Sequence, residues 1–248
     1  MQQAAPLRCM YNKKKTIFFD AVGTLFEVDQ GVGFQYSRIA LKFGVRQNPA
    51  LLDQRFYEAF KTMPPLDFPD LLPNLLEQTE KAWWRTLVQH VFQDTIFPDF
   101  DSFFEALYSF FAGNSGEETP WTLFLETKEV LGHLSQLGYS LGIISNFDSR
   151  LQPVVTSLGI AHFFQTVTCS AQEGIAKPDQ AIFKRAMEKA GCLPSNAIYI
   201  GNDPHDDGVG AKSAGIFFLL IDRKGREKVD TEQDRNVITD LREISNYL

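Results

Sequence analysis

Thr16 to Phe19 is a short, partly β-branched apolar run without polar alternation, the pattern of a strand buried on both faces of a parallel sheet. Similar strands are read at Ser140 to Ile144, Gln165 to Thr168, Ala197 to Ile200 and Ile216 to Ile221. Between them, Glu126 to Leu137, Arg150 to Leu158, Gln180 to Ala190 and His205 to Ala214 carry apolar residues at helical spacing. From about residue 121 strand and helix alternate, which predicts βαβ units with right-handed crossovers and a mostly parallel sheet covered on both faces.

Residues 28–120 break that rhythm. They are rich in Phe, Leu and Trp at helical spacing and poor in strand-like runs, so helices are expected over Phe34 to Phe43, Leu51 to Lys61, Leu71 to Gln93 and Phe100 to Ala112. Met63-Pro64-Pro65 and Phe97-Pro98 break them, while Gly31, Gly33 and the run Gly113-Asn114-Ser115-Gly116 mark the two crossings to the sheet. The expected class is therefore α/β: a Rossmann-like parallel-sheet core from residues 1–27 plus 121–248, with an inserted all-helical cap at 28–120 tethered twice, as a lid would be. Its aromatics, among them Phe56, Phe60, Trp83, Trp84, Phe103 and Phe110, read as the core of a helix bundle.

Composition narrows the partners. The 248 residues are 44% apolar and 22% charged, enough for a sizeable core, and the formal charge of −7 argues against broad contact with nucleic-acid phosphates. A small-molecule ligand fits better; oligomeric state is not encoded in any pattern here. No window approaches a membrane-spanning length, and the Lys13-Lys14-Lys15 terminus lacks the apolar stretch of a secretion signal, so it reads as a frayed end. Cys9, Cys169 and Cys192 are scattered and odd in number, which favours a reducing, cytoplasmic setting over a disulfide framework.

Chemistry gathers at strand ends. Asp20 follows the first strand, Ser145-Asn146 the second, Lys177-Pro178 lies in the loop after the third, and Asp203 with Asp207 follows the fourth. In an open α/β sheet such positions converge where strand order reverses. Each has a plain structural reading too: Asp20 as a turn cap, Ser-Asn and Asp206 or Asp207 as helix caps, Lys177 as a solvated loop lysine. The coincidence of four favours a site. His205, alone in a first helical turn, reads as a surface residue.

Together Asp20-x-Val22-Gly23-Thr24, Ile144-Ser145-Asn146, Gly174-x-x-Lys177-Pro178-x-x-x-Ile182-Phe183 and Gly201-Asn202-Asp203-x-x-x-Asp207 resemble the haloacid dehalogenase superfamily of hydrolases, in its branch with a helical cap after the first strand. Trp83-Trp84 and Ser145-Asn146-Phe147-Asp148 are similar to its "domain-containing 3" group. The resemblance implies that Asp20 is the nucleophile and that Ser145 and Lys177 hold the transferring group, with Thr24 and Asn146 as substrate contacts. It also implies Mg²⁺ on Asp20, the Val22 backbone carbonyl, Asp203 and Asp207. In the usual pattern an Asp follows the glycine directly; here Asn202 stands there, leaving Asp203 as first choice of ligand and Asp207 as second.

Val22 stands where family phosphatases place a second Asp to protonate the leaving oxygen and activate water, a service worth about 10²- to 10⁴-fold. Valine can do neither. Three functions stay open: a Mg²⁺-dependent phosphohydrolase of a small phosphorylated metabolite, a metal-independent 2-haloacid dehalogenase, and a binding or regulatory module with little turnover.

Overall fold

The computed structural model describes residues 15–113, 118–225 and 236–248, so Cys9, Lys13, Lys14 and the linker residues Asn114, Ser115 and Gly116 lie outside the described residues. The chain runs through β1 (Thr16–Phe19) and β2 (Phe26–Val28), then the helices α1 (Val32–Lys42), α2 (Pro49–Thr62), α3 (Leu76–Val91) and α4 (Phe100–Phe111). It returns through β3 (Trp121–Leu123), α5 (Thr127–Gln136), β4 (Ser140–Ser145), α6 (Leu151–Ser157), β5 (Thr166–Cys169) and α7 (Ser170–Glu173). The last part holds α8 (Gln180–Ala190), β6 (Ala197–Gly201), α9 (Gly210–Ser213), β7 (Phe217–Ile221) and β8 (Val237–Ile238).

Six strands form one sheet in the order β5-β4-β1-β6-β7-β8, with every pair parallel. All four residues of β1 are buried, as its unbroken apolar run requires. Period-two alternation sorts its side chains. Ile17 and Phe19 join Leu141, Ile143 and Ile198 under α5 and α6, while Phe18 joins Ile144 and Tyr199 under α8 and α9. Phe19 is level with Ile143 on β4 and Ile200 on β6, so the loops after these three central strands open on one edge. Strand order reverses there, on either side of β1.

The helices α1 to α4 pack around their own cluster, including Tyr36, Leu52, Phe56, Leu87 and Phe103. Local chemistry sets their starts. Asn48 accepts from the Ala50 N–H with Pro49 in the first turn, and Asp99 accepts from the Ser102 N–H. The expected helix Leu71 to Gln93 is shorter: Pro73 opens a 3₁₀ turn to Leu75, and α-helix begins only at Leu76. His205 to Ala214 likewise starts as a π-helical turn over Pro204–Val209 before α9.

The antiparallel pair β2 and β3 was not expected from the sequence. Each is three residues long, too short for periodicity to register, and the pair is made by long-range contact of Phe26 with Leu123 and Val28 with Trp121. It frames both crossings to the helices, placing Val28 in a strand. β8 is shorter still. Among the described residues no helix is long and apolar enough to cross a membrane.

A polar seam joins α3 to the loop after β4. The Trp84 indole N–H donates to Asp148, and Ser149 donates to Glu80 from its backbone N–H (3.0 Å) and its hydroxyl (2.7 Å). Arg150 grips Asp148 through Nε and Nη2 while its guanidinium lies over Trp84 at 4.6 Å and Tyr108 at 4.3 Å. Burial holds the Glu80 carboxyl above its usual range.

Candidate active site

Asp20 directly follows β1, and its backbone N–H donates to the Ile200 carbonyl of β6 at 2.8 Å, which fixes it at the end of the strand. Its Oδ1 accepts from Ser145 Oγ at 3.0 Å and from Lys177 Nζ at 2.7 Å. Burial pushes the carboxyl up to about 6; Lys177 pulls against this and Asp207 adds to it.

Lys177 has three N–H bonds and three acceptors: Asp20 Oδ1, Asp207 Oδ1 at 2.6 Å and the Tyr199 hydroxyl at 3.0 Å. Burial alone would favour the neutral amine. The two carboxylates outweigh it and hold the ammonium above the ordinary lysine range. The single Tyr199 hydroxyl hydrogen has two acceptors in reach, Asp207 Oδ1 at 2.7 Å and the Ile144 carbonyl at 3.0 Å. No motif marks Tyr199 in the sequence; its one signal is a phenol inside an otherwise aliphatic buried strand, which must find a polar partner.

Several expected site residues take other positions. Asn146, expected to touch substrate, pairs with the Lys177 backbone in both directions, accepting from its N–H at 2.7 Å and donating to its carbonyl at 3.0 Å. It therefore holds the lysine loop. Thr24, also expected as a substrate contact, is 0% exposed, with its carbonyl accepting from Arg223 Nη2 at 2.7 Å.

Asp203 and Asp207 do not bring their carboxylates to one point. Asp203 Oδ1 caps the following turn, accepting from the N–H groups of His205 (2.8 Å) and Asp206 (2.7 Å). Asp207 faces Lys177 and Tyr199 with Oδ1 and accepts from the Asp203 N–H with Oδ2 at 3.0 Å. The ammonium of Lys177 thus takes the place beside Asp207 that a cation would otherwise share. Gly201 is needed beneath it, because a Cβ there would lie 2.2 Å from Asp207 Oδ2. Among the described residues no three His, Cys, Asp or Glu side chains group as a metal site. His205 is a surface residue, its ring beside Asp206.

Asn202 takes the inner position instead. One edge of its amide lies 3.0 Å from the Val22 carbonyl, 3.3 Å from Asp20 Oδ2 and 3.2 Å from Thr24 Oγ1. Its plane is set by Gly23, whose φ of +87° suits glycine and where a Cβ would meet the amide at 2.7 Å. A small hard cation with ligands about 2.1 Å away in an octahedron keeps neighbouring oxygens about 3.0 Å apart. The spacings of an inward-turned Asn202 oxygen to the Val22 carbonyl and to Asp20 Oδ2 are close to that value, so this set of one carboxylate and two neutral donors suits Mg²⁺.

Above this floor lies a cavity of about 1090 Å³, to which Val22, Gly23, Asn146, Asn202 and Asp203 contribute. Its walls carry many aromatics, including Tyr36, Phe56, Trp84, Phe104 and Tyr108 from the helical insert, with Arg150, Arg223 and Lys224 as cations. Asp20 keeps 7% exposure behind Val22, Gly23 and Asn202.

A family model described as haloacid dehalogenase-like hydrolase matches residues 14–215 of this chain. The zebrafish (Danio rerio) protein named haloacid dehalogenase-like hydrolase domain-containing protein 3 is 30% identical over 218 residues, covering 86% of each chain. A glyceraldehyde 3-phosphate phosphatase of Methanothermobacter thermautotrophicus is 33% identical over 131 residues, which are 50% of this chain and 58% of that one. A crystal structure of a dehalogenase superposes with a TM-score of 0.70 at 18% identity, covering 96% of this chain and 98% of its own. With a family model spanning the residues from β1 past α9, and a relative alike over most of both chains, this chain belongs to the haloacid dehalogenase-like hydrolase family, in the group of the domain-containing protein 3 relatives.

Proposed function

We propose that the chain is a phosphohydrolase acting on a small phosphorylated metabolite through an aspartyl phosphate on Asp20. The observation that carries this is the division of one carboxylate: Oδ1 is held by the donors of Ser145 and Lys177, while Oδ2 meets the Asn202 amide edge that also meets the Val22 carbonyl. The phosphatase named among the relatives supports the same reading.

Asp20 Oδ1 forms the bond to phosphorus as the bond from phosphorus to the leaving oxygen breaks. Water then cleaves the aspartyl phosphate, releasing phosphate and restoring the carboxylate. The Ser145 hydroxyl and Lys177 ammonium, both aimed at Oδ1, pass their donors to the phosphoryl oxygens as that bond forms and offset the charge there. Asp207 and Tyr199 keep Lys177 charged and aimed. Mg²⁺, when bound, supplies further neutralisation of the charge between nucleophile and phosphoryl group. Asp20 Oδ2, the Val22 carbonyl and the Asn202 amide oxygen would hold it; Asp203 and Asp207 act behind that layer. The setting is cytoplasmic, in keeping with Cys169 and Cys192 as free thiols.

Val22 lines the cavity and gives the leaving oxygen no proton. Val22→Asp is therefore expected to raise aryl phosphatase activity by about 10²-fold. An unchanged rate would mean that its side chain does not face the leaving group.

One observation favours a metal-independent 2-haloacid dehalogenase instead: the NH₂ edge of Asn202 can satisfy Asp20 Oδ2 without a cation, and a halide leaves without a proton. The discriminating assay supplies an activated aryl phosphate and a 2-haloacid, each with Mg²⁺ and with chelator, beside an Asp20→Asn control. Metal-dependent phosphate release lost in the control supports the phosphohydrolase. Metal-independent halide release replaces it with the dehalogenase, and turnover of neither substrate leaves a binding module.

A further inference from the structure

Asn202 sits where it must choose between two tasks. The Val22 carbonyl and Asp20 Oδ2, at 3.0 and 3.3 Å from its inner edge, can only accept hydrogen bonds; the Thr24 hydroxyl, at 3.2 Å, can do either. An NH₂ edge satisfies both pure acceptors by itself. An oxygen edge, facing a carbonyl and a carboxylate, is repelled unless a cation lies between them. Because the amide packs flat over Gly23, a half-turn about its last torsion exchanges N and O with no change of shape.

We propose that Asn202 is a two-position amide that makes the Mg²⁺ site of this chain weak and its cation-free form self-sufficient. With NH₂ inward, the amide takes the cation's place against Asp20 and Val22. With oxygen inward, it becomes a neutral ligand. Binding Mg²⁺ then costs the inner hydrogen bonds of the amide and yields only one carboxylate, Asp20, in the layer closest to the metal. A carboxylate at position 202 would reverse both properties, adding charge to the ligand set while removing the donor. The inference rests on the reading of Mg²⁺ at Asp20 given above, and it extends that reading to how the metal is admitted.

The test compares wild type, Asn202→Asp and Asn202→Ala by thermal unfolding and by calorimetric titration with MgCl₂, without substrate. In chelator the expected order of Tm is wild type, then Ala, then Asp, with Asp about 3–8 °C below wild type. For Mg²⁺ affinity the expected order is Asp, then wild type, then Ala, with Asp about tenfold tighter than wild type. Should Asn202→Asp fold only with Mg²⁺ present, that dependence also supports the inference, and the Ala variant still reports on the donor. Equal Tm values in chelator would overturn it, as would equal Mg²⁺ affinity in wild type and Asp, or no Mg²⁺ binding by either. If Mg²⁺ binds Asn202→Asp but wild type shows no binding at millimolar metal, the inference stands and the Mg²⁺-dependent phosphohydrolase falls.

Discussion

Asp20→Asn is expected to lower turnover by about 10⁴-fold or more while leaving the fold in place. An amide at this position cannot attack phosphorus or carbon, yet it still offers an oxygen to Ser145 and Lys177. Lys177 keeps Asp207 and Tyr199 as partners, so its ammonium is not abandoned. Far-UV circular dichroism and a thermal scan should match wild type, and product release should vanish. Turnover within tenfold of wild type would remove Asp20 as nucleophile. The same carboxyl gives a pH signature. Held up to about 6 by burial, it is protonated and inert in acid, so kcat/KM at low Mg²⁺ falls as pH drops through that value. Saturating Mg²⁺ on Oδ2 favours the ionised form and moves the fall to lower pH.

The second large effect is on stability. Lys177→Met is expected to cost about 3–5 kcal/mol, because it leaves Asp20 and Asp207 facing each other with no counter-charge in a closed site. A fall in Tm on the order of 10 °C follows for a chain of this size. In wild type the raised lysine contributes stability that is fully present below its unfolded pKa and is lost as pH rises through the folded value. Between pH 7 and 5 that contribution is constant, and both proteins gain stability through the raised Asp20 carboxyl, the variant more than wild type. Without the ammonium that pulls it down, the Asp20 carboxyl is raised further by burial and by the neighbouring Asp207, so the folded state binds more protons than the unfolded one in mild acid. Stability lost at neutral pH is therefore recovered as pH falls toward 5, and the gap between variant and wild type narrows. Denaturant unfolding of both proteins at pH 7 and 5 measures this; a gap that is absent at pH 7, or constant between the two, would show that the ammonium is not what holds the pair.

Much of this was written along the chain. The run Thr16 to Phe19, with Ile and Phe on both faces and no charge, is best satisfied between two helical layers, and it forms the buried β1 with all four residues covered. Alternation from residue 121 onward fixed the parallel sheet for the same reason. The polar groups at the strand ends, Asp20, Ser145 and Lys177, do meet, because parallel strands in register must deliver their following loops to one edge.

What periodicity could not carry was any feature made by contact across the sequence. Three-residue strands such as β2 and β3 have no period, and they exist because Phe26 finds Leu123. The partition of the acidic loop was likewise hidden. Spacing alone offered Asp203 and Asp207 as a pair on one cation, whereas Asp203 is drawn into capping by the Pro204 turn and Asp207 toward Lys177, 30 residues away. Asn202 then becomes the side chain that reaches Val22 and Asp20.

The sequence by itself determined the layers, the family and which strand ends bear chemistry, since burial and hydrogen-bonding capacity belong to residues and their short-range order. Only the tertiary structure decided which oxygen faces the nucleophile, which carboxylate keeps the lysine charged and how large the aromatic cavity above them is. Those are distances of about 3 Å between groups far apart along the chain, and hydrogen bonds and ion pairs lose their strength within an ångström of such values.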